Sequence, residues 1–353
     1  MGKNRRILVA PLNWGLGHAT RCIPIIEALL AHNFTPVIAS DGVALSLLRK
    51  EFPSLEAVEL PSYKIEYAKE GKNFKLKMMW DSPKIMKAVK AEKLLIKQLI
   101  EDLKIDGIIS DNRLGVRSKT IPSVFITHQL NVLTGNTTWF SSKMHQAIIK
   151  KYDECWVPDV AGKPNLTGKL GHLKKEKFPI KYIGPISRLQ KKNLEKKYDL
   201  MVIISGPEPQ RTLLENHLLN ELPNFDGNVI FIRGKIQPEQ QIQQHKNMKI
   251  YNFMNSAELE TAFNQSEMVL SRSGYTTVMD LAKLEKKAFF IPTPGQYEQE
   301  YLAERLKKHE IVPYCSQEEF TVKKLKKVAI YKGLSAFTTE LNFDNLFNLF
   351  QGK

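Results

Sequence analysis

The 353-residue chain predicts an α/β fold made of two Rossmann-like domains, each a parallel sheet covered by helices. Three observations predict it. Apolar stretches of strand length alternate with helical stretches along the chain, the pattern of parallel sheets. The alternation pauses at Lys181-Tyr182-Ile183-Gly184-Pro185 and a lysine-rich run to Lys197, which reads as a hinge, and then restarts. The length suits two cores of about 150 to 200 residues each.

In the first half the strand candidates are Ile7–Ala10, Thr35–Ala39, Ala57–Leu60, Gly107–Ser110, Val124–Thr127 and Glu154–Val157. The first leads into Pro11-Leu12-Asn13-Trp14-Gly15-Leu16-Gly17-His18-Ala19-Thr20, and a helix follows from about Thr20 to Ala31, tolerating Pro24 in its first turn. Gly15 and Gly17 let the backbone approach a ligand, and His18 sits where loop becomes helix. The full dinucleotide fingerprint would need a third glycine where Thr20 stands. A hydrogen-bonded loop histidine is the plainer reading of His18. Asp111-Asn112-Arg113 follows a strand in the position of a site loop, or of an ordinary turn. A helix is expected from about Ser82 to Leu103.

In the second half the strands are Leu200–Ser205, Asn228–Ile232, Lys249–Tyr251, Met268–Leu270 and Ala288–Ile291. Met268–Leu270 runs into Ser271-Arg272-Ser273-Gly274, and a helix starts at about Thr276. Small residues and unpaired N–H groups at a helix N-terminus attract phosphate. Asp280, a turn further on, is placed to accept from sugar hydroxyls. The loop Pro292-Thr293-Pro294-Gly295-Gln296 opens a second helix whose first turn holds Glu298, Gln299 and Glu300, acids that suit the helix dipole. Two polar helix starts suit a nucleotide-sugar pocket; two ordinary βα turns are the alternative. An amphipathic helix from about Phe337 to Phe350 closes the chain. The expected domains are 1–184, 185–335 and a C-terminal segment 336–353 returning to the first.

Together these stretches resemble the GT-B glycosyltransferases, most closely the MurG family. The family's N-terminal loop ending in Gly-His resembles Gly15-Leu16-Gly17-His18. Its His-Glu-Gln-Asn element is similar to His128-Gln129-Leu130-Asn131, with Gln129 in place of the acid. Its Gly-Asn-Pro-Val-Arg stretch resembles Gly184-Pro185-Ile186-Ser187-Arg188. Its glycine-rich phosphate loop is replaced by Ser205-Gly206-Pro207-Glu208-Pro209-Gln210-Arg211-Thr212, which keeps only Gly206 and adds charge. Its uracil-reading Phe-Ile is similar to Phe253-Met254. Its Arg-Ser-Gly and ribose-binding acid fall on Arg272-Ser273-Gly274 and Asp280, and its Gln-Gln pair near the donor sugar on Gln299-Glu300.

The resemblance implies two domains facing across a cleft and an inverting transfer from a UDP-sugar to a glycan or lipid-linked acceptor. It puts Gly17 with the donor-binding residues, and Asn13 and Asn131 on the acceptor side. His18 is the best-placed general base, with Asp111 and His128 competing. No Asp-x-Asp element for a cation occurs in the sequence, so no metal or other cofactor is expected. Helix N-termini and cations such as Arg188, Arg211 or Arg272 would then offset the charge of the departing pyrophosphate.

Composition agrees with a large globular enzyme: 42% hydrophobic and 25% charged residues exclude a disordered chain. Cys22, Cys155 and Cys315 are far apart and lack metal spacing, so neither a disulfide framework nor a zinc site is expected. No uncharged apolar run reaches membrane-helix length, and the apolar stretch after the basic start is too short for a secretion signal. A cytoplasmic enzyme is expected, peripheral at the inner face of a membrane if its basic segments bind there. The formal charge of +15 is concentrated in Pro61–Ile100 and Lys163–Lys197. The first interleaves Lys72, Lys75 and Lys77 with Met78, Met79 and Trp80, which suits an anionic membrane surface or a solvated lysine-rich face. No zinc finger, RRM motif or recognition helix is present, so nucleic acid is not expected. Two other readings stand beside the transferase: a nucleotide-sugar epimerase of the same fold, and a non-catalytic protein binding anionic polymer or membrane.

Overall fold

A computed structural model describes residues 4–63, 74–235, 237–337 and 343–351, with the backbone alone at 74–83 and 136. The chain divides into two compact units, one reaching Arg188 and including the C-terminal helix, the other beginning at Leu189.

The first unit has seven strands: β1 (Arg6–Pro11), β2 (Thr35–Ser40), β3 (Ala57–Glu59), β4 (Gly107–Asp111), β5 (Ser123–Ile126), β6 (Glu154–Val157) and β7 (Ile180–Tyr182). All pair in parallel, in the order β3-β2-β1-β4-β5-β6-β7. Helices α1 (Gly17–Ala31), α2 (Gly42–Glu51), α3 (Phe74–Asp102) and α4 (Thr138–Ile149) link them. The central strands are buried on both faces, which is why they read as unbroken apolar runs.

The second unit has β8 (Tyr198–Ile203), β9 (Val229–Ile232), β10 (Ile242–His245), β11 (Met248–Tyr251), β12 (Ser266–Ser271) and β13 (Lys287–Phe290), in the order β10-β11-β9-β8-β12-β13. Only the edge pair β10–β11 is antiparallel. Its helices are α5 (Gln210–Glu221), α6 (Ser256–Asn264), α7 (Tyr275–Lys283) and α8 (Tyr297–Lys308). Leaving β10 aside, both sheets repeat one doubly wound order that reverses between β1 and β4 and between β8 and β12. Ligands of such sheets sit outside the carboxyl ends of the strands at that reversal.

The last helix, α9 (Phe343–Gln351), packs on the first unit. Phe347 and Phe350 are fully buried against Trp156, with ring centroids 6.3 and 6.2 Å away. Phe350 lies so close to the backbone of β4 that a Cβ on Gly107 would meet its ring at 2.4 Å. The boundary falls at Arg188, four residues later than the sequence suggests, because Ile183 and Ile186 are buried in the first core. From Gln190 onward the chain bonds to the second unit, through Gln190 N to Glu260 Oε2 at 2.7 Å and Lys192 N to Asn264 Oδ1 at 2.8 Å.

Phe347→Ala removes a fully buried ring and is expected to destabilise the first unit by about 3–5 kcal/mol. Urea unfolding followed by near-ultraviolet circular dichroism would read this; an unchanged midpoint would place α9 outside the core.

Candidate active site

The reversal point of the first sheet brings His18, Arg21, Asp111 and His128 together. The β1–α1 loop delivers His18 at the start of α1, and Arg21 follows one turn later on the same face. Asp111 is the last residue of β4 and is fully buried; His128 follows β5 and is 8% exposed. Arg21 reaches both Asp111 oxygens through Nε and Nη2, and its Nη1 donates to His128 Nδ1 at 3.1 Å. His18 Nδ1 stands 2.9 Å from Asp111 Oδ1 and 2.7 Å from Arg21 Nη2. The two contacts of Nδ1 suit different tautomers. A bare Nδ1 would set its lone pair against a carboxylate oxygen, whereas a protonated Nδ1 donates a charge-assisted bond to it. Arg21 Nη2, at 2.7 Å, can donate only to the bare form. With the proton on Nδ1, toward Asp111, Nε2 keeps its lone pair.

The electrostatics favour the neutral ring. Burial pushes the His18 pKa below its usual value, and the Arg21 charge adds to this against the opposing pull of Asp111. Asp111 goes the other way. Burial alone would raise it, but the charges and hydrogen bonds of Arg21 and His18 hold it well below the usual carboxylate range. Asp111, which the sequence offers as a rival base, is thus an ionised partner that orients His18. Arg21 was missed in the sequence. Its signal was an arginine inside an otherwise apolar helix, three residues after the histidine.

A second buried charge network stiffens the same edge. Arg113 is fully buried, paired with Glu92 at 2.8 Å and with Asp41, and its Nε donates to Pro11 O at 3.0 Å. Tyr63 donates to Glu92 Oε2 at 2.7 Å. Asn13 donates to Asp41 Oδ2 at 3.1 Å and accepts from Ala44 N at 3.4 Å. Asn131 donates to Lys169 O at 2.6 Å and accepts from Gln146 Nε2 at 3.3 Å. Both asparagines that the sequence places on the acceptor side spend these bonds on holding loops. Gly17 is the first residue of α1, and its carbonyl accepts from Thr20 Oγ1 at 3.2 Å. Arg188 belongs to the first unit, with Nη1 4.0 Å from Glu51 Oε1.

In the second unit Gly274 is the N-cap of α7, with no side chain capping the helix, and the nearest atom to a Cβ built there is Thr277 Oγ1 at 3.8 Å. Open space therefore meets a helix start without a side-chain cap, with half-buried Asp280 in the same helix. Gly206 has φ +107°, a conformation that glycine alone adopts readily. Other residues matched to the donor site turn inward. Arg272 is 1% exposed and donates to Ile291 O, Pro292 O, Gln210 O and Gln317 Oε1 at 2.8–3.1 Å, so it braces loops rather than presenting its charge. Ser273 Oγ donates to Gln299 O at 2.8 Å, and Gln299 Oε1 accepts from Thr293 N at 2.9 Å. Glu300 Oε1 accepts from Gly295 N at 2.8 Å. Arg211 is 7% exposed and engaged by Glu208, Glu215, Thr212 and the carbonyl of Arg233. Phe253 N donates to Asn252 Oδ1 at 3.0 Å, and Met254 lines a groove of about 350 Å³ with Tyr198, Ile230, Tyr251 and α6.

Residues 202–336 match the glycosyltransferase family 28 C-terminal domain. Among curated relatives, a UDP-N-acetylglucosamine–N-acetylmuramyl-(pentapeptide) pyrophosphoryl-undecaprenol N-acetylglucosamine transferase of Haemophilus ducreyi is 23% identical over 62% of this chain. The chain spans about 60% of that relative's length. An uncharacterized glycosyltransferase of Methanosarcina mazei is also 23% identical, over 84% of this chain and 81% of its own. Among solved structures, Acinetobacter baumannii MurG superposes with TM-score 0.55 at 14% identity, covering 98% of this chain and 92% of its own. LpCGTa in complex with UDP gives 0.59 at 10% identity, over 93% and 89%. Spinosyn rhamnosyltransferase SpnG with thymidine diphosphate gives 0.61 at 12% identity, over 94% and 93%. The class is thereby defined at the level of fold: the chain has the GT-B fold of these solved structures. It resembles the MurG enzymes and carries a family 28 C-terminal domain in its second unit.

His145 lies beside this site, its ring 5.7 Å from that of Phe125, with Nε2 buried and unbonded among the described residues. Burial and the neighbouring charge of His128 push its pKa down to about 4. A histidine depressed in the folded state binds its proton more readily when unfolded. Its contribution to stability is therefore complete above about pH 6.5 and is lost as pH falls toward 4. His145→Phe is expected to reduce this acid loss by up to ~3 kcal/mol, read from urea midpoints at pH 7 and 4.5. An identical loss in both proteins would show that His145 is not held neutral.

Proposed function

We propose that the chain moves a sugar, GlcNAc-like or another hexose, from a UDP-sugar to a hydroxyl of a glycan or lipid-linked acceptor, with inversion and without a metal. The observation that carries this reading is the His18–Asp111 pair at the reversal point of the first sheet. His18 Nε2 takes the proton of the acceptor hydroxyl while Asp111 stabilises the imidazolium that forms. The oxygen attacks the anomeric carbon from the face opposite the departing nucleotide, so the new C–O bond forms as the bond to the diphosphate breaks. The first unit binds the acceptor and the second the donor, with the diphosphate at the N-terminus of α7 and the ribose at Asp280. The bound UDP and thymidine diphosphate of the structural neighbours support a nucleoside diphosphate as the leaving group. A lipid-linked acceptor would place the enzyme at the inner face of a membrane. No described helix is long and apolar enough to cross one. The basic apolar segment that would touch the surface, Lys72 to Trp80, falls in 64–83, whose side chains lie outside the described residues.

His18→Ala is expected to lower kcat by about 10²- to 10⁴-fold with nearly unchanged UDP affinity. A stable variant with full kcat would remove His18 as the base. Activity is expected to persist in excess EDTA; loss with chelator and return with Mg²⁺ or Mn²⁺ would overturn the metal-free mechanism. Incubation with UDP-GlcNAc and no acceptor should leave the sugar unaltered, whereas an epimerised sugar would establish the competing chemistry.

A further inference from the structure

The second unit lacks the glycine-rich phosphate loop of the family it resembles, so a diphosphate there needs another source of positive charge. Arg211, Arg233, Lys235 and Arg272 all follow strands at the carboxyl edge of the sheet, after β8, β9 and β12. Hydrogen bonds to neighbouring backbone join the three arginines. Arg272 Nη2 donates to Gln210 O at 2.9 Å, and the adjacent Arg211 donates through Nη1 to Arg233 O at 3.3 Å. Arg272 is committed to three carbonyl groups and Gln317. Arg211 is committed to two carboxylates, a hydroxyl and a carbonyl.

Arg233 and Lys235 differ. Arg233 Nε lies 3.0 Å from Glu215 Oε1, and among the described residues its two Nη groups have no partner. Lys235 Nζ lies 3.2 Å from Glu215 Oε2, with its other hydrogens unbonded among the same residues. Their side chains are 23% and 37% exposed, while Glu215 is 4% exposed and also holds Arg211 at 2.8 Å. One buried carboxylate thus bonds Arg211 and lies within ion-pair distance of Arg233 and Lys235, both of which keep unused donors among the described residues. The loop carrying them is tied closely to the loop after β8. Gly234 has φ +66°, and a Cβ there would strike Ile204 O at 2.3 Å, so only glycine allows the approach. A rigid guanidinium fork beside an ammonium group is the chemistry that grips phosphate oxygens.

We propose that Arg233 and Lys235, set by Glu215, form the diphosphate clamp of the second unit in place of the missing glycine-rich loop. The proposal rests on the nucleoside-diphosphate reading above and names the residues that would hold the charge. Calorimetry on the full chain with UDP, UMP and uridine tests it, using Arg233→Gln, Lys235→Gln and, as control, Lys246→Gln in the exposed β10–β11 turn. UDP should bind each clamp variant about 10- to 100-fold more weakly, the effect of one lost charge-assisted hydrogen bond, with uridine affinity and the control unchanged. Wild-type UDP affinity in both clamp variants would overturn the clamp while leaving the donor reading intact. A parallel fall in uridine affinity would also overturn it, by showing a general loss of structure. Failure of the unmodified protein to bind UDP, TDP, GDP or ADP would overturn both the clamp and the donor reading.

Discussion

The buried carboxylate of Asp111 is the constraint on which the first unit's site depends. A lone carboxylate at zero exposure would cost several kcal/mol, and only paired and hydrogen-bonded partners offset that. Arg21 and His18 supply them, and Arg21 also bonds His128. Three strand ends are thereby tied to one charge, and no member can move without exposing another. Removing Arg21 would leave the charge uncompensated, the situation that costs about 3–5 kcal/mol in buried pairs. Arg113, Asp41 and Glu92 apply the same solution one layer away, bracing the loops after β1, β2 and β4.

The second unit reaches a comparable rigidity by a different route. Arg272, Ser273, Gln299 and Glu300 are polar residues of its site loops, yet the bonds described for them run back into those loops. Among the described residues, Arg233 and Lys235 keep donors that are not used in this way. The division is physically reasonable. Groups that brace a loop must be saturated, whereas groups that meet a ligand must keep capacity in reserve.

The fold was legible in the sequence because buried parallel strands leave unbroken apolar runs that little else produces. All eleven runs read as strands are strands, within two residues at either end. The two strands missed are those without that signal. β10 is Ile-Gln-Gln-His, exposed throughout, and β7 is three half-buried residues. The candidate site was legible to the level of its loops. His18 and the β12–α7 turn could be found from glycine spacing, since backbone that must approach a ligand constrains residue type locally. What could not be found locally was which side chains turn inward. The fates of Arg211, Arg272, Asn13 and Asn131 depend on carbonyls and carboxylates tens of residues away. The role of Arg21 exists only once β4 has brought Asp111 beneath α1.

The central claim is that burial and the Arg21 charge hold His18 neutral against the pull of Asp111, with its proton on Nδ1 toward Asp111 and a lone pair on Nε2. Nitrogen-15 resonances of the His18 ring in histidine-labelled protein, followed from pH 8 to 5, measure this directly. The account predicts a protonated Nδ1 and a bare Nε2 at pH 7, with a titration midpoint below the ordinary 6.5. A proton on Nε2 at neutral pH, or a midpoint above 6.5, would contradict it.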